Sequence, residues 1–209
     1  ARECPTLDAV VNNAGVMQPP LIRTAEGFEL QLATNHLGHF RLNSALMPHL
    51  EACGSRIVPV SSIAHKQGRI QLDDLMSEKS YSPTAAYGQS KLANALFARE
   101  LAHRFEGTGR TAFSLHPGVI MTNLGRHMNL PGVARLLVPI VNATMMKSIP
   151  AGAATQVYAA TNEEPLQWSG EYLSHCTLGS PTDLARDDAL ATRLWAETEE
   201  ILSRLETAA

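Results

Sequence analysis

The chain has 209 residues, of which 44% are hydrophobic and 18% charged, with a formal net charge of -3. That is enough chain for one domain with a full core, and its charge excludes the electrostatic footprint of a nucleic-acid or anionic-membrane binder. Cys4, Cys53 and Cys176 lie far apart, which excludes a disulfide framework and points to a reducing, cytoplasmic compartment.

Strand and helix signals alternate along the chain. Residues 7–11 read as a short apolar strand running into Asn12, Asn13, Ala14 and Gly15. Thr24 has the residue type of a helix N-cap. Phe28, Leu32, Leu37, Phe40, Leu42, Leu46 and Leu50 recur at helical spacing and predict a long helix over 26–52. Residues 56–60 read as a second strand ending at Ser61 and Ser62, and 63–82 as loop. A second long helix is expected from Pro83 to about Phe105, stopped by Gly107 and Gly109. Residues 111–115 form a third strand, closed by His116, Pro117 and Gly118.

Residues 119–147 mix Gly and Pro with Leu, Val and Met and suggest an apolar lid or pocket wall. Their apolar stretch is too short to span a bilayer and is broken by Pro139, so no transmembrane segment is expected. A helix over 151–161, a strand over 171–174 and an amphipathic closing helix over 183–205 complete the order. The alternation predicts one α/β domain, a parallel sheet with helices on both faces.

Tyr87 and Lys91 stand four residues apart, one above the other on a helix face. A free phenol titrates near ~10 and shuttles protons poorly at neutral pH. A neighbouring ammonium favours the phenolate, so the spacing describes an acid/base device for a carbonyl or alcohol. In an open parallel sheet, ligands bind beyond the carboxyl ends of the strands. Asn12 to Gly15, Ser61 with Ser62, and Pro117 with Gly118 all fall there, and Tyr87 with Lys91 lies on the intervening helix. Ser62 and Tyr87 are therefore expected to meet although 25 residues separate them in the sequence. His36 and His39 have no third ligand in view, so no metal site is expected.

These residues, in this order, resemble the short-chain dehydrogenase/reductase family, in particular its retinol-dehydrogenase-like branch. The matching pieces are Asn12–Gly15, Asn35–Phe40, Val60–Ser62 with His65, Tyr87 and Ser90–Lys91 with Leu92–Asn94, His116–Gly118, and Gly170 with Tyr172. The resemblance implies a Rossmann-like fold and an NAD(P)-dependent oxidoreductase interconverting an alcohol and a carbonyl, with an apolar small-molecule substrate. It implies that Tyr87 is the general acid/base and that Lys91 lowers its pKa and binds the nicotinamide ribose. Ser62 would hold the substrate oxygen, and Asn35 would anchor a water behind Lys91. Asn12, Asn13, Ala14 and Gly15 would lie along the cofactor, and Pro117, Gly118, Val119 and Thr122 would hold the nicotinamide carboxamide. The branch favours NADP over NAD, and the two long helices would form a homodimer interface.

The family's turn Thr-Gly-x-x-x-Gly-x-Gly does not occur in the 209 residues. The expectation is therefore a single partial domain over 1–209, N-terminally truncated and lacking the first strand–helix units. Its dinucleotide affinity would be weak and its strand over 7–11 an open edge. Two alternatives stand beside the oxidoreductase: an inactive remnant acting as an interaction partner, and an epimerase or dehydratase of the extended branch.

Overall fold

A computed structural model describes residues 6–50, 54–118, 120 and 147–207. Its strands are β1 (Ala9–Asn12), β2 (Arg56–Pro59), β3 (Thr111–Ala112), β4 (Ser114–His116), β5 (Tyr172–Ser174) and β6 (Thr177–Leu178). The helices are α1 (Leu30–Leu32), α2 (Gly38–Leu46), α3 (Pro83–Arg104), α4 (Ile149–Thr161) and α5 (Asp188–Thr207). The pairs β1–β2, β2–β3 and β4–β5 are parallel, and β5–β6 is antiparallel. β3 and β4 are one run broken at Phe113, whose N–H still donates to Ile57 at 3.1 Å. A parallel bridge between Val60 and Leu115 carries the sheet across the break. The expected Rossmann-like α/β sheet is what the chain forms.

Alternation along the strands divides the core between the two faces. Ile57 and Ala112 join Phe40, Phe97, Leu101 and Trp195 on one side. Val58, Phe113, Leu115 and Leu173 join Ala159 of α4 on the other. Successive strand side chains point to opposite faces, so a doubly covered sheet needs this unbroken apolar run. Among the described residues β1 has β2 as its only strand partner, and Val11 on it is 40% exposed. An apolar groove lined by Val11, Ala153, Val157 and Ala160 runs along that open edge. No helix among the described residues is long and apolar enough to cross a membrane.

Several elements depart from the sequence expectation. The first long helix starts at Leu30, not 26, because the buried Glu29 carboxylate accepts from the N–H groups of Gln31 and Leu32 and is the true cap. Thr24 instead caps a turn, its hydroxyl accepting from Phe28 N at 3.3 Å, with Gly27 left-handed at φ 85°. The helix is interrupted by a π-helical segment at Ala33–Leu37, resumes as α2 and ends in a 3₁₀ turn at Met47–His49. A 3₁₀ turn at Ile63–Gln67 stands in the stretch expected to be loop. β6 is an unforeseen hairpin strand. Its two-residue turn, His175 and Cys176, has φ of 56° and 58°, the double left-handed geometry a tight hairpin needs. The apolar lid expected over 119–147 lies almost wholly outside the described residues.

α3 sets the layout. Ser82 caps it and Pro83 opens it, a combination suited to the first turn. It is buried almost continuously from Ala86 to Leu101, between the sheet and α5. Asp188, at the start of α5, pairs with Arg99 and with His103 of α3, and these contacts hold its carboxyl down at about 2. His36 joins the same seam by a 3.1 Å contact to Thr198. α5 of the same chain thus packs along α3.

The loop carrying Ser62 reaches α3 through two glycines in backbone contact. A Cβ built on Gly68 would stand 2.3 Å from the Gly88 carbonyl oxygen, and one on Gly88 would stand 3.2 Å from that of Ala64. Gly68→Ala is therefore expected to destabilise the fold by about 2 kcal/mol or more, since backbone cannot give way as a side chain can. Urea unfolding would measure it, and an unchanged midpoint would show that the contact is slack.

Candidate active site

The C-terminal end of β2 is sewn to α3 by three buried bonds. Lys91 Nζ and Asn94 Nδ2 both donate to the Val60 carbonyl, at 3.0 and 3.1 Å. Ser61 Oγ donates back to the Lys91 carbonyl at 2.6 Å. Lys91 is thus drawn toward the strand end, with its ammonium 5.7 Å from the centre of the Tyr87 ring. Burial lowers the Lys91 pKa to about 8, so the side chain still carries its charge at neutral pH.

Ser62 caps the turn that follows. Its hydroxyl accepts from Ala64 N at 3.2 Å, and its side chain stands close enough to the Tyr87 phenol to work against the rise of its pKa. Ser62 and Tyr87 therefore meet as the spacing of strand and helix predicts. His65 fixes this turn from beneath: Nδ1 lies 2.7 Å from the Ser62 carbonyl, and Nε2 accepts from Thr182 N at 3.4 Å. The imidazole is accordingly the neutral Nδ1–H tautomer, and burial holds its pKa down. Tyr87 is raised, first by burial, with the Ser62 hydrogen bond as the opposing influence. The phenol is protonated at neutral pH.

Asn35 stands in the π-helical segment, fully buried. The extra residue per turn alters which side chains face the loop after β1, and such segments recur at functional sites. Asn35 Oδ1 accepts from Val16 N at 2.8 Å, and Nδ2 donates to the Val16 carbonyl at 3.0 Å and to Ser90 Oγ at 2.9 Å. Both amide donors are used, and Oδ1 keeps one lone pair. The clamp brings Gly15 between Asn35 and Lys91. A Cβ there would stand 3.0 Å from Asn35 Oδ1 and 3.6 Å from Lys91 Nζ, so a glycine permits the approach.

The remaining expected residues divide. Asn12 is buried at the end of β1, and neither end of its amide has a partner among the described residues. Asn13 and Ala14 are exposed, and Asn13 Oδ1 accepts from Gln156 of α4 at 2.7 Å. Pro117 and Gly118 close β4, with Gly118 N–H donating to His116 Nδ1 at 3.0 Å and φ at 93°. Val119 and Thr122 lie outside the described residues. Among those residues no group of three His, Cys, Asp or Glu could hold a metal ion. Spacing alone places Ser61 at the strand end without a role, although its hydroxyl secures the helix, and misses Gln31, an amide inside an otherwise apolar helical pattern.

Fold and site together define a Rossmann-like α/β domain that presents a Tyr–Lys pair and a serine at the ends of its parallel strands. The sequence matches the family model for short chain dehydrogenase over residues 1–131. The chain belongs to the short-chain dehydrogenase family. It is 43% identical over 205 residues to retinol dehydrogenase 14 of Homo sapiens, a match covering 98% of this chain and 61% of that protein. It is 46% identical over 200 residues to human retinol dehydrogenase 12, covering 94% of this chain and 61% of that protein. The chain therefore spans about three fifths of the length of these curated relatives. A crystal structure of an uncharacterized protein from Mycobacterium Paratuberculosis superimposes with a TM-score of 0.71 at 37% identity, covering 94% of this chain and 67% of that one.

The family implies a nicotinamide cofactor, and the residues present fit its ribose end. The Gly15 backbone lies beside a charged Lys91, and neither end of the buried Asn12 amide has a partner among the described residues. Burial of the Lys91 charge is a stability cost. Its folded pKa lies below the ordinary 10.5, so stability rises with pH between about 8 and 10.5 as the unfolded chain alone keeps the proton. Lys91→Met should remove that slope and raise stability near neutral pH by on the order of 2 kcal/mol. Unfolding free energies measured across that range check it, and a destabilised Lys91→Met protein would refute it.

Proposed function

We propose that this protein is an NAD(P)-dependent oxidoreductase that interconverts a carbonyl and an alcohol on an apolar small molecule. The observation that carries the reading is the geometry of the pair: Lys91 Nζ, held on the Val60 carbonyl, stands 5.7 Å from the centre of the Tyr87 ring, with Ser62 beside the phenol. Lys91, Tyr87, Asn12 to Gly15, and the Pro117–Gly118 turn are the residues that would hold the cofactor. The cofactor, when bound, supplies or accepts the hydride.

The chain's own residues manage the proton. Ser62 and Tyr87 offer two hydroxyl donors to one substrate oxygen. Charge developing on that oxygen in the transition state is stabilised by such preorganised donors. Tyr87 then releases its proton to the oxygen, and the Lys91 ammonium stabilises the phenolate left behind. In the reverse direction the same phenolate takes the alcohol proton. A phenol raised by burial is at rest in its acid form, which suits carbonyl reduction at neutral pH. Asn35 holds the loop at Val16, keeping the Gly15 backbone beside Lys91.

The relatives named retinol dehydrogenases support retinal and retinol as the first substrate pair to test, with NADPH favoured over NADH by the same resemblance. In the protein expressed from its complete reading frame, Tyr87→Phe should lower the turnover of retinal reduction by about 10²–10⁴-fold with little change in thermal stability. Spectrophotometric loss of reduced cofactor measures it. Near-normal turnover by the variant would remove Tyr87 from the mechanism.

A further inference from the structure

Gln31 has no place in the chemistry above, yet it is among the largest fully buried side chains of the described residues. It lies one helical turn before Asn35. A buried primary amide is costly unless its donors and acceptor are met. Here all are met by two segments distant in sequence. Gln31 Oε1 accepts from Gln18 N at 2.9 Å, and Nε2 donates to the Tyr81 hydroxyl and to the Pro83 carbonyl, both at 3.0 Å. Tyr81 passes the contact on by donating to the Pro19 carbonyl at 2.9 Å. Gln18 Nε2 completes the circuit with Thr84 Oγ1 at 3.2 Å.

Two consequences follow from this circuit. Asn35 and Gln31, four residues apart, hold the same loop at alternate residues, Val16 and Gln18. The loop runs directly from Gly15, which lies beside Lys91. Gln31, Tyr81 and Gln18 also fasten that loop to Pro83 and Thr84, the first turn of α3, one turn before Tyr87. Gln18 has φ 51°, a left-handed backbone that a glutamine holds only when its surroundings impose it. The hydrogen bond from its N–H to Gln31 holds the backbone there.

We infer that Gln31, through Tyr81, is a positioning residue: it holds the loop after Gly15 against the start of the catalytic helix. It thereby sets the distance between the cofactor-side backbone and the Tyr87–Lys91 pair. Only a side chain with both donor and acceptor can do this, so neither Glu nor Met can replace it. The inference rests on the proposed reading of 12–15 as a cofactor-contacting segment.

The test uses Gln31→Met, which keeps volume and removes the hydrogen bonds, and Tyr81→Phe, which keeps the ring and removes only its hydroxyl contacts. Amide exchange by mass spectrometry should show the 16–19 segment exchanging about tenfold faster or more in both variants, with β2 unchanged. Calorimetry with NADPH should show affinity weakened about tenfold in Gln31→Met and less in Tyr81→Phe. Turnover at saturating cofactor should fall less than the affinity does. A merely structural role would lower the melting temperature and the active fraction without moving affinity. Unchanged exchange at 16–19, or unchanged NADPH affinity where the wild type binds, would overturn the inference. A wild-type protein from the complete reading frame that fails to bind NADPH would overturn the functional reading instead, and the exchange result would still decide the clamp.

Discussion

Lys91 and Asn94 converge on one carbonyl, that of Val60, and Ser61 returns a bond to the Lys91 carbonyl. This seam ties the end of the central strand to the middle of the most buried helix. Without it the lysine stem could swing to solvent, as lysines prefer. With it, the ammonium stays inside, the helix keeps its rotation, and Tyr87 is turned toward Ser62. The glycine contact between Gly68 and Gly88 lets the serine loop come close enough for that to matter.

The polar interior follows from the same demand. Asn35, Gln31, Glu29, His65 and Asn94 are buried, and each has hydrogen-bond partners. Apart from Glu29, which caps α1, each bonds backbone groups at the ends of strands and helices or in the loops between them. A loop carries orphan amides and carbonyls that only water or such side chains can satisfy. The interior side chains therefore act as staples for irregular backbone, and the active-site residues are displayed on that stapled backbone. Histidines share the work in their neutral form: burial lowers His36 to about 4 and holds His39 and His65 down as well.

Legibility in the sequence differed with the cause of each feature. β2, α3 and α5 were read closely because strong periodicity, a Ser-Pro start and glycine stops are local signals. The π-helical segment was invisible because its spacing of apolar residues still looks helical. The cap at Glu29 was misplaced onto Thr24, since both residue types accept backbone hydrogen bonds and only the tertiary path of 24–29 selects between them. The β5–β6 hairpin was missed because His175 and Cys176 lack the Asn-Gly signature of its turn.

The sequence alone determined the order of strands and helices, the family, and which side chains could form the proton device. Those are consequences of period, residue type and motif order, all of which are written along one dimension. Only the tertiary structure decided that Lys91 is drawn onto Val60, that burial raises Tyr87 while Ser62 works against it, and that Asn13 turns away toward α4. Those outcomes depend on burial and on partners distant in sequence, as in the Lys91–Val60 and Gln156–Asn13 bonds, and no local spacing encodes them.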